Sequence, residues 1–322
     1  MQRALVGIIL SVFVMVCTGL PTPSEGAQKK ETTSPQPIRF GTLPVLQALP
    51  LFVAADKGYF KERGLSVEIT TFNSAMEKDV AISAGQLAGY FGDLQTPAVL
   101  VANKVPVRMV ATIYNTTGKQ RMFAILASPK RSASSLQEVA DAGLAGSSNT
   151  ILEYLAVKIL RARNVPAEKL KLVEIKSIPI RLQMLLSDQV PGALLPEPLV
   201  TLAELKGAKV LADDASLGLS ATVLAFTDAF LKAHPSQTRE FLAAVELASL
   251  YINKNPDDVR PIMNRECKVP ESLQQSFPIP AFPKLAVPEQ SQVMDVYRWL
   301  REKKIIKTDL RYTQMVADGF LP

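Results

Sequence analysis

Between Pro37 and Phe226 the chain alternates between two textures, and that alternation restricts its folding more than any other feature. Short runs rich in Val, Ile, Thr and Phe read as strands, and most are followed by segments with apolar residues at helical spacing. Parallel strands need a crossover between them, and a helix covering the sheet face is the usual solution. The expected class is therefore α/β, with mostly parallel sheets flanked by helices. Strands are predicted at 38–41, 65–72, 87–91, 107–114, 122–126, 143–146, 170–174, 192–195, 208–212 and 221–226. Helices are predicted at 51–63, 75–84, 96–103, 136–141, 150–163, 180–187 and 199–205. From Thr227 the pattern turns helical, over 227–233, 235–253, 256–264 and 290–303, with no further strand.

The alternation falls into two units. Gly85-Gln86-Leu87-Ala88-Gly89-Tyr90 in the first parallels Asp188-Gln189-Val190-Pro191-Gly192-Ala193 in the second. Each reads as a helix stop followed by a short strand, a faint sign of internal duplication.

Ahead of this region, Arg3 precedes an apolar run from Ala4 to Val16 broken only by Ser11. That is the pattern of an export leader, shorter than the roughly 20 residues a membrane span needs. Cleavage after Gly26 would make 1–26 a signal peptide and 27–36 a flexible tether. A lipid anchor on Cys17 and a retained single span are the alternatives. The expected location is periplasmic or otherwise extracytoplasmic.

Composition excludes much of catalysis. One His among 322 residues rules out sites built on two or more His ligands, and 2 Cys cannot form a cysteine-rich metal cluster. Nucleophile-elbow, Walker, dinucleotide and zinc-protease signatures are missing. His234, in Ala-His-Pro, reads as a surface or capping residue, Trp299 as a packing residue, and Cys267 as a poor nucleophile without a second His as base. The net charge of +6 is spread along the chain, so no nucleic-acid partner is expected. No metal or cofactor is expected either.

What remains are polar loops at strand ends and helix starts, where open α/β sheets bind ligands and helix N-termini offer free N–H groups. Four loops fit: Thr42–Gln47, Asn73–Glu77, Gly92–Thr96 and Gly146–Thr150. The last is the most attractive, because Ser147, Ser148 and Thr150 surround a helix start with no acidic residue in the loop. Plain helix capping is its alternative, and Ser74 with Glu77 already has the spacing of a capping box. Tyr114 and Asn115 end a strand near the crossing between units. Arg181 stands at a helix start as an anion partner or an exposed charge, and Glu197, between Pro196 and Pro198, as a cleft or surface carboxylate.

Phe40-Gly41 with the run Leu51–Val67 (LFVAADKGYFKERGLSV) resembles periplasmic substrate-binding proteins of ABC transporters. The similarity is to the subgroup of nitrate, taurine, aliphatic-sulfonate and thiamine-pyrimidine binders. Gly85-Gln86-Leu87, Leu194–Pro198 (LLPEP) and Phe230–Pro235 (FLKAHP) agree in order and spacing, so the resemblance spans nearly all of 37–322. Ala88 and Pro191 stand where that family usually has Asp.

The resemblance implies a type II two-lobed binding fold with a helical C-terminal tail. Lobe 1 would comprise 37–122 plus 225–322, and lobe 2 would comprise 123–224. A monomeric receptor would close on a small-molecule ligand and deliver it to an ABC permease and its ATPase. The implied cleft contacts are Thr42, Gln47, Ser74, Asp93, Thr96, Asn115, Ser147, Ser148, Thr150 and Glu197. A pyrimidine-synthase-like enzyme on this fold and a sensor for a membrane signalling partner are the competing functions. Ser, Thr and Asn at helix starts suit an oxyanion, whereas Asp93 and Glu197 facing the cleft would suit amine or ring N–H donors.

Overall fold

The computed structural model describes residues 37–131, 134–219 and 221–322; the leader, tether and Cys17 lie outside them. Among the described residues the strands form two five-stranded sheets. The first contains β1 (Ile38–Thr42), β2 (Val67–Thr71), β3 (Gly89–Asp93), β4 (Val107–Tyr114) and β10 (Thr222–Thr227), in the order β2-β1-β3-β10-β4. The second contains β5 (Phe123–Ala127), β6 (Leu144–Gly146), β7 (Leu172–Glu174), β8 (Gly192–Pro196) and β9 (Lys209–Asp213), in the order β7-β6-β8-β5-β9. In each sheet one strand is reversed: β10 is antiparallel to β3 and β4, and β5 to β8 and β9.

The helices follow the predicted alternation: α1 (Leu49–Asp56), α2 (Tyr59–Glu62), α3 (Ala75–Ser83), α4 (Gln95–Ala102), α5 (Leu136–Ala142), α6 (Ile151–Ala162), α7 (Ile178–Leu186) and α8 (Leu199–Leu205). The C-terminal set is α9 (Asp228–Ala233), α10 (Pro235–Lys254), α11 (Arg260–Glu266), α12 (Gln290–Glu302) and α13 (Tyr312–Met315). The reversed strands are apolar on both faces because each is sandwiched. In β5, Ala124 and Leu126 join one core while Ile125 and Ala127 join the other. On the first sheet Phe40 lies 4.7 Å from Phe241 of α10 and 5.2 Å from Phe226. Burying each such ring contributes roughly 1.5–3 kcal/mol.

Two expectations need correction. The helix predicted over 51–63 is two helices, because Gly58 adopts φ 78°, a left-handed turn that ends α1. Helical structure also begins earlier, since Pro50 sits in the first turn of α1, where its missing N–H costs nothing. The tail is also not uniformly helical. Residues 267–289 run mostly without regular structure, Ala286 bridges to Thr112, and Val316, just past the unforeseen α13, bridges to Met109. Prolines at 270, 278, 280, 283 and 288 prevent a helix there.

The chain leaves the first sheet after Tyr114, enters the second at Phe123, leaves it after Asp213 and returns at Thr222. The two connections are tied together. Thr116 N–H donates to the Leu219 carbonyl (3.3 Å), and Leu219 N–H donates to Thr116 Oγ1 (3.1 Å). Asp214 Oδ1 accepts the Met122 and Phe123 N–H groups at 2.8 and 3.0 Å.

Candidate functional site

The C-terminal ends of the same-direction strands carry the polar loops in both sheets. Thr42 ends β1, Asp93 ends β3 and Tyr114 ends β4; Ser147 follows β6 and Glu197 follows β8. Thr42, Gln47, Thr96, Tyr114, Ser147 and Glu197 are all buried, while Asn115 is half-buried. The starts of α4 and α6 meet: Gln95 Nε2 donates to the Asn149 carbonyl at 2.8 Å. This contact joins the Gly92–Thr96 and Gly146–Thr150 loops, which sequence reasoning had marked separately.

Both helix starts carry their own carboxylates. Asp93 Oδ1 accepts the Gln95 and Thr96 N–H groups at 2.9 and 2.8 Å. Burial pushes the Asp93 carboxyl up, against the pull of those bonds and of Lys78. At α6 the Ser148 N–H donates to Glu174 Oε2 (2.8 Å) and the Asn149 N–H to Glu153 Oε2 (2.6 Å). Although burial raises Glu174, hydrogen bonds from Ser148 and Ser147 and the Lys176 charge outweigh it and leave the carboxyl below its ordinary range. The loop expected to offer N–H groups with no acid nearby is thus supplied with two, one from β7 and one from inside α6. Sequence distance hid the first.

Other selected residues turn out to be structural. Ser74 Oγ accepts the Glu77 N–H at 3.2 Å, the predicted cap. Thr150 Oγ1 accepts the Leu152 N–H (3.3 Å) and donates to the Ser147 carbonyl (2.7 Å), the capping reading. Arg181 is neither exposed nor reaching outward. Its Nε and Nη2 donate to the Ile175 carbonyl at 3.1 and 2.7 Å and its Nη1 to the Leu194 carbonyl at 2.9 Å. Burial lowers its guanidinium to about 10. Ala88 and Pro191 use their carbonyls to accept the Thr227 and Ser128 N–H groups, at 2.9 and 3.1 Å.

Several residues at this edge were missed. Lys78, 1% exposed along its side chain, places Nζ 2.6 Å from Asp79 Oδ1 and 4.1 Å from the Tyr90 ring centroid. A lysine inside a polar helix gives no sequence sign of such burial. Buried near it, the Tyr90 hydroxyl has no hydrogen-bond partner among the described residues; elsewhere at this edge the same holds for Gln95 Oε1, Asn115 Oδ1 and Thr222 Oγ1. Beside the chain crossings lies a cavity of about 400 Å³ whose lining includes Leu46, Arg121, Glu197, Asp213, Phe277 and Ile279. Arg121 Nε donates to Glu197 Oε1 at 2.7 Å, and its Nη2 bonds to Glu204. Glu197 Oε2 accepts the Thr201 N–H and hydroxyl at 3.0 and 2.9 Å. Glu197 is therefore at the cavity but fully engaged.

The remaining candidates for catalysis stand outside this region. His234 is exposed between α9 and α10. Cys267 is buried among apolar side chains, and burial pushes its thiol up. Trp299 packs edge-on to Tyr154 at 5.7 Å. The described residues hold no cluster of three or more His, Cys, Asp or Glu able to bind a metal. No described helix is long and apolar enough to cross a membrane.

Residues 46–259 match the family model described as NMT1/THI5 like. No curated protein matches the chain in sequence. Among solved structures it is similar to the periplasmic aliphatic sulphonate binding protein SsuA from Escherichia coli, with TM-score 0.76 and 12% identity over 88% of this chain and 92% of that one. It is also similar to the alkanesulfonate-binding protein SsuA from Xanthomonas axonopodis pv. citri bound to MOPS, with TM-score 0.74 and 13% identity over 88% and 99% of the two chains. A third similar structure is a cysteine-to-serine variant of DszB in complex with biphenyl-2-sulfinic acid, with TM-score 0.62 and 14% identity over 88% and 97%. Two mixed sheets with helices on both faces are thus the periplasmic-binding-protein arrangement.

Proposed function

Since the chain belongs to the NMT1/THI5-like family and has the periplasmic-binding-protein fold, we propose that it is a solute receptor of an ABC importer. Lobe 1 comprises 37–122 plus 225–322 and lobe 2 comprises 123–224, a division by which the second sheet lies in lobe 2 and the first in lobe 1 apart from the start of β10, Thr222–Leu224, which pairs in the first sheet. The two tied crossings between them act as the hinge. A small ligand enters between the strand ends, and its contacts with both lobes favour the closed state over the open one. We assign Thr42, Gln47, Thr96, Asn115, Ser147 and Glu197 as the residues facing it. The closed monomer then docks on a membrane permease and its ATPase, on the extracytoplasmic side.

The observation that carries this reading is the meeting of the α4 and α6 starts through Gln95 and Asn149. An enzymatic reading has less support, because neither Cys267 nor His234 stands at the strand ends.

The test is thermal unfolding of the full chain against a panel of sulfonates, small oxyanions, amino acids, amines and heterocycles. A ligand at 100 times its Kd adds about 2.7 kcal/mol, an upshift of a few degrees. One hit with a narrowed X-ray scattering envelope is the expected result. Absence of any hit, together with absence of a co-purified small molecule in native mass spectrometry, overturns the receptor reading.

A further inference from the structure

The two crossings are not the only place where the sheets are joined. Helix α6 belongs to the second sheet, where its Ala156, Ile159 and Leu160 pack with Ile125 and Leu144. Yet Tyr154 and Leu155, outside that core, are only 3% and 1% exposed. They enter a cluster of the first sheet, among Met109 and Val223 from its strands and Val296, Trp299 and Leu300 from α12. A surface helix carries one apolar stripe, so two apolar sides mean two partners.

Polar contacts border the apolar ones. The Tyr154 hydroxyl donates to Asp295 Oδ2 at 2.6 Å, and Lys158 Nζ lies 2.5 Å from the same oxygen. At the other end Lys303, just past α12, pairs with the buried Glu153. These pairs set α6 and α12 antiparallel, and the Gln95–Asn149 bond closes the seam where α4 and α6 begin. Leu219 on the second crossing and Phe123 at the end of the first pack against the same cluster.

The opposite face of the boundary is different. Adjacent residues of β10 separate the two faces of the first sheet: Val223 joins the seam, whereas Leu224 joins the core that holds Leu46 and Phe277. Leu46 and Phe277 line the cavity of about 400 Å³, with Glu197 and Asp213 of the second sheet across from them. The boundary is thus apolar and filled on one face, polar and hollow on the other.

We propose that α6 and α12 form a third, permanent connection between the lobes, and that the receptor opens only on the opposite face, over the cavity. This rests on the receptor reading above and specifies how its lobes move. A filled apolar contact parts only by exposing its side chains to water, whereas a hollow polar boundary widens without that loss. Both crossings lie against the seam, so rotation about it bends them without stretching them.

The experiment uses Trp299, the single tryptophan of the chain, as reporter. Acrylamide quenching and X-ray scattering are measured on the full chain without added ligand. In the unaltered protein the indole should be quenched at least fivefold more slowly than free N-acetyltryptophanamide. Leu155→Asp should raise the quenching rate at least threefold and enlarge the radius of gyration, while hydrogen exchange in β1 and β8 stays slow because both sheets survive. Lys158→Glu sets like charges face to face at the seam's edge and should act the same way more weakly; it decides the question if Leu155→Asp fails to fold. Quenching of the unaltered protein at the free rate overturns the proposal, because the seam then opens unaided. A radius of gyration unchanged in the folded variants overturns it too, because the lobes then hold without the seam. Neither result touches the receptor reading, which the ligand panel tests by itself.

Discussion

The two sheets are built to one plan and finished differently. Phe40 pairs with Gly89 in the first and Leu144 with Gly192 in the second. The Phe72 N–H donates to Thr42 as the Ile175 N–H does to Gly146, both at 2.9 Å. Gly85 and Asp188 both take left-handed backbone, with φ 70° and 58°, ahead of those glycines. The fourth residue of α3 is Lys78 and that of α7 is Arg181, and both are buried. What is shared holds the chain geometry: a helix stop, a strand start without a side chain, and a cation laid across the strand ends. What differs is how the ends are finished. The α4 start of the first sheet is capped by Asp93, which ends its own strand β3, whereas the α6 start of the second is capped by glutamates from β7 and from inside α6. Scaffold and cleft chemistry are thus separable in this molecule.

The largest expected effect comes from the shared glycines. A Cβ on Gly192 would lie 2.2 Å from Val139 Cγ1 and 2.6 Å from the Leu126 carbonyl oxygen; on Gly89 it would lie 2.6 Å from the Ala225 carbonyl oxygen. Backbone cannot yield cheaply, so Gly192→Ala and Gly89→Ala should each cost about 3 kcal/mol or more in urea unfolding. A mild effect at one site and a severe one at the other would break the equivalence of the sheets.

Next comes the crossing on the second-sheet side, which rests on a carboxylate where the first-sheet side rests on the Thr116 hydroxyl. Burial raises the Asp214 carboxyl to about 6, with neighbouring Asp213 adding to the rise. An unfolded Asp titrates near ~3.9, so between the two values the native state keeps a proton the unfolded chain has lost. This contribution is complete below about pH 4 and is lost as pH rises through about 6, by up to about 3 kcal/mol. Asp214→Asn retains the Oδ1 acceptor and should flatten that part of the profile. Urea midpoints at pH 4.5 and 7.5 for both proteins check it, and equal slopes would refute it.

The twin cations should then differ. Arg181→Met strands the Ile175 and Leu194 carbonyls and should cost about 2 kcal/mol. Lys78→Met frees Asp79, whose side chain is 31% exposed and can turn to water, so the cost should stay under about 1 kcal/mol. Equal losses would mean that the two cations do the same structural work.

The strands and helices were largely legible because they are local. β4 and α8 occur at their predicted bounds, and Thr150 caps α6 where the Asn149-Thr150 signal placed it. The candidate site was legible in its loops but not in its pairings. Arg181 looked like a free cation because nothing in its own helix shows the Ile175 and Leu194 carbonyls waiting beneath it. Glu174 reached Ser148 from 26 residues away, and Arg121 reached Glu197 from 76. Residues 277–282 carry no periodic pattern because they are held by the side chains of Gln120, Asn253 and Arg260 rather than by a helix or strand ladder.

By itself, then, the sequence determined the alternation of strand and helix, the duplicated stops at Gly85 and Asp188, and the polar character of the strand ends, since these depend on near-neighbour sterics and periodic burial. Tertiary structure alone decided which charges are spent and which remain. A carboxylate's value to a ligand depends on its neighbours within a few ångströms, and folding draws those neighbours from distant parts of the chain.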